Sequence, residues 1–361
     1  MNIQHNLPHE KKVKMASIEG ARALAALAVA LMHCANAMRV DHFSGHVGLG
    51  SIFDFGYIGV DFFFVLSGFI ITYVHFHEIG HIQKIPRYLW RRFSRIYPIY
   101  WTFLLITIGI TTIGRLATGK GLILEMGSTD IAGTVFLLIN GGEPKYIGPA
   151  WSLQYEIVFY IVFSWLFLSG RVGAVLFGIW GAFLLTQALG MWQFNLPFHL
   201  SNAHCMQFLL GMVVAVMARR YKLHATKAIL VMVLLIFMAG VIFEVYGPFP
   251  RHSGIGRLVL GLTSAMVLAA LVGIENENAL KTPNWLVRMG SVSYSIYLGH
   301  ILFINLTFTL LLKAGIYHTL PEALVFAIGL SVALASTTAI GLCVEMPLVN
   351  KLKDFWGNRN K

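Results

Sequence analysis

Charge is what this sequence is short of. Only 12% of its 361 residues are Asp, Glu, Lys or Arg, about half the share of a soluble domain. Acids are the scarcer sign, 16 against 27 Lys and Arg, which leaves a formal net charge of +11. With 57% hydrophobic residues, the chain reads as an integral membrane protein. Only three cysteines are present, Cys34, Cys205 and Cys343. None has CxxC spacing, which argues against a disulfide framework or a cysteine metal site, and all three read as small core residues. No P-loop, HExxH or Ser/His/Asp signature occurs, and no metal is expected. No basic low-complexity arm or aromatic-basic module marks a nucleic-acid partner, so the positive excess is assigned to the cytoplasmic face and anionic lipid. No repeat of 20–50 residues and no linker divides the chain, which points to a single transmembrane domain over 1–361. No cleavage site follows the polar, basic N-terminus, so the first span is expected to stay in the membrane.

Ten apolar segments are present, at roughly 20–38, 56–74, 96–114, 150–169, 172–190, 203–218, 228–246, 257–273, 291–312 and 322–344. Each can cross a bilayer or nearly so. Asp130 to Ile139 is too short to span and is read as interfacial or re-entrant. The expected fold is an all-α integral membrane protein of about ten transmembrane helices with both termini cytoplasmic. Residues 1–17 would form a cytoplasmic segment and 346–361 a cytoplasmic tail. Loops on the N-terminal side hold 19 of the Lys and Arg residues and the other side 7, with Arg22 completing the 27; this bias sets the orientation.

Against that apolar background, a few polar residues stand out. Arg22 and His33 both lie in the first span, and ionisable groups there are costly enough to suggest function. Eleven residues apart, they fall on one helical stripe, roughly 16 Å from each other along the axis. Arg92 and Arg95 open the third span three residues apart, on one face and at the level of Arg22. Guanidinium forks suit phosphate, and three at one level call for an anion among them, so a cytosolic phosphorylated ligand fits. Arg91 reads instead as a headgroup-level residue. Asp61 opens the second span, either exposed at the outer boundary or partnering a buried cation. Gly59, Ser67 and Gly68 allow close helix approach there. In the fourth span Ser152 and Glu156 share a face; Ser152 could simply cap the helix after Pro149, whereas Glu156 could orient His33 or pair with an arginine. His300, among hydroxyls, is either a hydrogen-bonded bundle residue or part of a site. Glu345 closes the last span where it could neutralise an arginine. Histidines such as His5, His9, His75, His77, His81 and His318 read as solvated loop residues.

Taken together these residues resemble the acyltransferase 3 family of bacterial membrane acyltransferases. The resemblance rests on Arg22 with ten residues before His33, the run Gly59 to Phe69, Arg92-x-x-Arg95 with Tyr97-Pro98, Trp151-Ser-Leu-x-x-Glu156, Ser293-Tyr294-Ser295-Ile-Tyr297 with His300, and Glu345-x-Pro347. These cover nearly the whole chain in order. Ile18 to Ala26 and the length are most similar to exopolysaccharide-type members without an added esterase-like domain. Ala150 before Trp151, and Gln154-Tyr155 beside Glu156, depart from the common pattern in ways that could touch acceptor choice.

The resemblance implies transfer of an acyl group, usually acetyl from acetyl-CoA, to a hydroxyl of a lipid-linked or exported polysaccharide, in the bacterial inner membrane. It implies His33 and Glu156 as catalytic residues and Arg22, Arg92 and Arg95 as the acyl-CoA site. Asp61, Trp151, Ser152, Tyr155, Tyr297, His300 and Glu345 would support or bind substrate. His33 would be the base, or would carry the acyl group briefly. The three turns from Arg22 to His33 would then match a pantetheine arm of the order of 15–20 Å. Acyl-CoA, a nascent glycan and membrane lipids are the expected partners. The competing reading is a proton-coupled transporter of a small anion or sugar, which also uses buried Arg, His and Glu. The broken helix pairs and repeat symmetry of such transporters are not evident.

Overall fold

The computed structural model describes residues 15–43, 49, 51–119, 127–138 and 144–359, excepting the side chains of residues 41, 128 and 353–359. Outside that set lie His5 and His9, Ile139 at the end of the short segment, and, among the cations of the loop bias, Lys11, Lys12, Lys14, Lys120 and Lys361 with the side chains of Lys353 and Arg359. Among the described residues every regular element is helical: α1 (Ala16–Arg39), α2 (Ile58–His75), α3 (Ile85–Ala117), α4 (Ser128–Phe136), α5 (Trp151–Ser164), α6 (Gly170–Ala188), α7 (His204–Arg220), α8 (Lys227–Tyr246), α9 (Gly254–Asn276), α10 (Asn284–Ser291), α11 (Ser293–Lys313), α12 (Glu322–Ile340) and α13 (Met346–Arg359). Ten of the helical segments are long and apolar enough to cross a membrane, so the expected all-α, ten-span architecture is found.

Two boundaries differ most from the hydropathy reading. The third span begins near Ile82, not residue 96, and the last continues to Leu352. Apolarity set the expected limits, but helix formation does not need it. Pro86, at the start of α3, suits the first turn, and Arg, Leu and Trp then carry the helix into its apolar part. α12 reaches α13 through a wider turn at Gly341–Glu345. Short polar caps start other helices: Ser169, Thr226 and Ser253 accept from the backbone N–H of Val172, Ile229 and Gly256, each satisfying an otherwise orphaned donor.

The helices pack where small residues let backbones meet, since lipid offers no hydrophobic drive between helices. α2 crosses α7 so closely that a Cβ on Gly68 would sit 2.0 Å from Phe208 O, and one on Gly211 1.9 Å from Val65 O. Gly59 likewise abuts Ala25 O of α1. Ser67 does not share this role; it faces inward toward α5. Aromatic rings fill the centre, as where Phe159 stacks on Phe208 at 4.2 Å. Two of the three cysteines are buried, but Cys343 is exposed, because the wider turn before α13 leaves it on the outer surface.

α4 covers most of the segment read as too short to span. Three α3 side chains hold its C-terminal carbonyls: Tyr97 Oη donates to Phe136 O at 2.8 Å, Trp101 Nε1 to Val135 O at 2.8 Å, and Tyr100 Oη to Thr134 O. They satisfy orphaned acceptors of a helix end.

The bundle has two ends. The start of α1, the end of α2 and the start of α3 share one. Leu352 lies there too, its carbonyl taking Trp90 Nε1 at 3.1 Å. Ala16 N and Ser17 N donate to Glu275 at 3.0 and 2.9 Å, which ties α1 to the end of α9.

Candidate active site

At this end most of the charged residues singled out from sequence converge. A cavity of about 630 Å³ is lined by Arg22 of α1, Arg87, Arg91, Arg92 and Arg95 of α3, Glu156 of α5 and Tyr297 of α11. Five arginines and two glutamates, Glu19 and Glu156, line it, so it is strongly positive. Arg91 also lines this wall, at the same end of the bundle.

Few of these charges are matched. Arg22 Nη1 lies 3.6 Å from Glu19. Arg95 Nη1 lies 3.3 Å from Glu345 Oε1, while Glu345 Oε2 accepts from Ser295 Oγ at 2.7 Å and Ser295 N at 3.2 Å. Glu345 thus neutralises an arginine as expected of it. Arg92 Nη2 donates to His75 Nε2 at 3.0 Å, and its guanidinium lies over Tyr88 and Tyr160. Arg92 Nε is buried without a hydrogen-bond partner among the described residues, as are Glu19 Oε2 and Glu345 Oε1. Buried polar groups are normally satisfied; the two carboxylate oxygens have their arginine ion pairs, so the open donor at Arg92 Nε, with the cavity's excess of arginines, is what favours an anionic occupant.

Glu156 stands in this cavity, not beside His33. Its Oε1 accepts from Ser67 Oγ at 2.8 Å and from Tyr160 Oη. Ser152 shares the wall. Its hydroxyl bonds Pro149 O at 3.0 Å and Tyr297 Oη at 2.8 Å, while Tyr297 Oη also reaches Pro149 O at 3.1 Å. One carbonyl and two hydroxyls thus tie the start of α5 to α11.

His33 does not line the cavity. It is half-buried, three turns along α1 from Arg22, and its partner is His300, which is fully buried. Tyr297 links the two regions, lining the cavity with its ring 6.3 Å from that of His300. His300 Nδ1 faces Ile296 O at 3.0 Å, and its Nε2 lies 2.9 Å from His33 Nδ1, which is also 3.1 Å from Val29 O. A carbonyl only accepts, so His300 carries its proton on Nδ1 and, uncharged, presents a bare Nε2. His33 Nδ1 must then be the donor, shared between His300 and Val29 O. The hydrogen-bond balance leaves His33 Nε2 as a free acceptor.

Asp61 takes the second of its two readings. It is completely buried, bound by Arg257 Nη1 at 2.6 Å to both oxygens and by Gln207 Nε2 at 2.5 Å. This cluster lies at the end of α2 opposite the arginine cavity. Trp151 and Tyr155 pack on its His204, with ring centroids 5.5 and 5.6 Å away.

A family model described as an acyltransferase domain matches residues 15–342. The chain belongs to the acyltransferase 3 family. It is similar to the acyltransferase MdmB of Streptomyces mycarofaciens, 26% identical over 81% of this chain and 80% of that protein. It is similar also to the exopolysaccharide production protein ExoZ of Rhizobium meliloti (strain 1021), 24% identical over 84% of this chain and 91% of that one. A putative peptidoglycan O-acetyltransferase, YrhL of Bacillus subtilis (strain 168), is 25% identical over 82% of this chain but only 49% of its own length. No solved structure matches. The protein is therefore a multi-pass membrane acyltransferase, an enzyme that moves acyl groups.

Within this acyltransferase, sequence reasoning missed four residues. His75 is not a solvated loop residue. It ends α2, is fully buried, and hydrogen-bonds Glu78 through Nδ1 while accepting from Arg92. Its position beside a polar turn hid this, although the apolar run before it was a signal. Arg257, His204 and Gln207 surround Asp61, and each sits within the first turns of a span. A charge inside such a turn was the available signal, but Arg257, at the very start of α9, counts among the loop cations in the charge bias. No group of three or more metal-ligating side chains occurs among the described residues.

Proposed function

We propose that this acyltransferase moves an acyl group, acetyl in the simplest case, from cytosolic acyl-CoA to a hydroxyl of a lipid-linked or exported polysaccharide. The observation that carries this is the arginine cavity: a pocket with five arginines against two glutamates and an unmet donor at Arg92 Nε, at one end of the bundle and reaching Tyr297 beside the His33–His300 pair. Guanidinium groups favour phosphate, and acyl-CoA is a polyphosphorylated acyl donor of suitable length. The Lys and Arg bias of the loops favours a cytoplasmic arginine end, where acyl-CoA is found, and hence the bacterial inner membrane. The polysaccharide acceptor is supported by the names of the relatives.

In this reading Arg22, Arg92 and Arg95 hold the phosphates. Glu156, fixed by Ser67 and Tyr160, limits their mutual repulsion. Ser152 and Tyr297 spend their protons on Pro149 O and each other, so they shape the passage and do not donate to an oxyanion. His33 Nε2 takes the proton of the acceptor hydroxyl as its oxygen attacks the thioester carbonyl. The C–O bond forms, the C–S bond breaks, and the proton passes to the departing thiolate. His300 keeps His33 in the required tautomer.

Mass spectrometry of cell-surface glycan from the source strain tests this, with the gene present, deleted, and restored as His33→Ala. Acyl substituents should vanish on deletion and stay absent in the variant. Glycan acylated equally in all three strains overturns the reading.

A further inference from the structure

A second cavity, of about 520 Å³, opens at the end of the bundle opposite the arginines. The end of α6, the segment before α7 and the start of α9 form it, with Gln187, Gln193, Asn195, Asn202 and His204 among its lining. The two ends are fixed by α2. Asp61 at its first turn bonds Arg257, which lines this second cavity, while His75 at its last turn bonds Arg92 of the arginine wall; the first cavity runs along α2 between them, from Val60 to Val74.

The chemistry here differs from the arginine cavity in kind. Arg257 is its sole Lys or Arg, and that charge is matched by Asp61 at 2.6 Å. Arg257 Nη2 also lies 2.7 Å from His252 Nδ1, and burial together with Arg257 holds the His252 imidazole below its usual range. Its remaining polar lining is amides, a hydroxyl and imidazoles. Such a wall offers paired donors and acceptors without net charge, which suits hydroxyl groups and gives an anion nothing unspent to bind.

Two acceptors in it are unmet. Gln187 Oε1 is buried with no hydrogen-bond partner among the described residues, while its Nε2 donates to Ser201 O at 2.8 Å. His204 Nδ1 faces Gln207 Oε1 at 3.2 Å, and Gln207 spends its amide protons on Asp61 and Arg257 O. His204 Nδ1 is therefore the donor, which leaves Nε2 as an acceptor. At the mouth, Phe198 and His199 hold positive φ values of 58° and 56°, a strained backbone of the sort that clusters at ligand sites. The His199 ring lies 4.8 Å from that of Tyr155. The Phe64 ring, which lines the first cavity, lies 4.8 Å from that of His204.

We propose that this second cavity binds an uncharged, polyhydroxylated ligand, a saccharide segment, from the face opposite the acyl donor, with Gln187 Oε1 and His204 Nε2 accepting its hydroxyl protons. Its place in the reaction, as the acceptor's anchoring site, rests on the proposed function; the binding site itself does not.

The full chain, purified in detergent, is tested with the neutral oligosaccharide fraction released from the source strain's surface polysaccharide. Hydrogen–deuterium exchange should show protection at residues 187–204 and 247–257 with oligosaccharide, and at 85–95 with acetyl-CoA. Gln187→Leu should weaken oligosaccharide binding about threefold to tenfold, the worth of one hydrogen bond. Because Gln187 also ties down Ser201, the exposed pair Gln193→Ala with Asn195→Ala serves as the second variant, with the same direction expected. Protection confined to other segments, no measurable binding, or affinity unchanged in both variants overturns the site. Protection here without acyl transfer upholds the site and removes the proposed function; transfer without protection here does the reverse.

Discussion

His300 Nε2 lies 2.9 Å from His33 Nδ1, and two backbone carbonyls fix the direction of that hydrogen bond: Ile296 O on the far nitrogen of His300, and Val29 O beside His33 Nδ1 itself. The pair leaves His33 Nε2 unprotonated and the His300 ring with no exposed edge. One histidine is thus available for proton transfer and the other holds it.

His33→Ala should lower kcat by about 10²–10⁴-fold, the usual worth of a general base, with the KM for acyl-CoA nearly unchanged. His300→Ala should also lower kcat. His300→Gln should recover much of that loss, since its amide oxygen can accept from His33 Nδ1 where alanine offers nothing. Steady-state kinetics on the three variants decide it; His300→Gln as inactive as His300→Ala would remove the positioning role.

Arg92→Ala and Arg95→Ala should each raise the KM for acetyl-CoA about tenfold to a hundredfold, the range for losing a charge-assisted hydrogen bond. Lysine should restore little, because Arg92 is held between His75 and two tyrosine faces by the plane of its guanidinium. Acetyl-dephospho-CoA should discriminate less between wild type and variants than acetyl-CoA does. Equal discrimination would place the arginines away from the phosphates.

Much of this cavity was legible in the sequence because isolated cations before or inside apolar runs are costly and few. Arg22, Arg92 and Arg95 could be placed at one level by counting turns, and the cavity does bring them together. The same count put His33 on the Arg22 stripe but could not show that Tyr297, 264 residues from His33 in sequence, lies toward the cavity. Asp61 was ambiguous for a related reason. Its partners Gln207 and Arg257 lie 146 and 196 residues away, and Arg257 sits one turn inside α9, where hydropathy cannot tell a span from a loop. His75 was lost at the opposite edge of the same problem. Hydropathy locates spans; it does not say which end residues turn inward.

Asp61→Ala strands Arg257 as a buried, uncompensated cation. Removing one partner of a buried ion pair costs about 3–5 kcal/mol, so the variant should lose folded protein on heating in detergent well before the wild type. Replacing both, Asp61→Leu with Arg257→Met, should cost much less, because no charge is left behind. Size-exclusion profiles after a temperature ramp measure the difference. A single variant as heat-stable as the wild type would mean that the pair is solvated.

Gly68→Ala tests the α2–α7 crossing. The added methyl would meet Phe208 O, a backbone atom that cannot rotate away. The helices must separate, at about 1–3 kcal/mol by the usual cost of overpacking. The crossing also carries function: Ser67, next to Gly68, holds Glu156, and Phe64 one turn earlier forms part of the cavity wall. Separation should therefore lower both heat stability and activity. Gly109→Ala is the control. It lies in α3 with nothing within 4 Å of its Cβ position, so the methyl should leave activity unchanged and stability equal or slightly higher. Equal loss in both variants would mean that the effect comes from helix glycines in general and not from this contact.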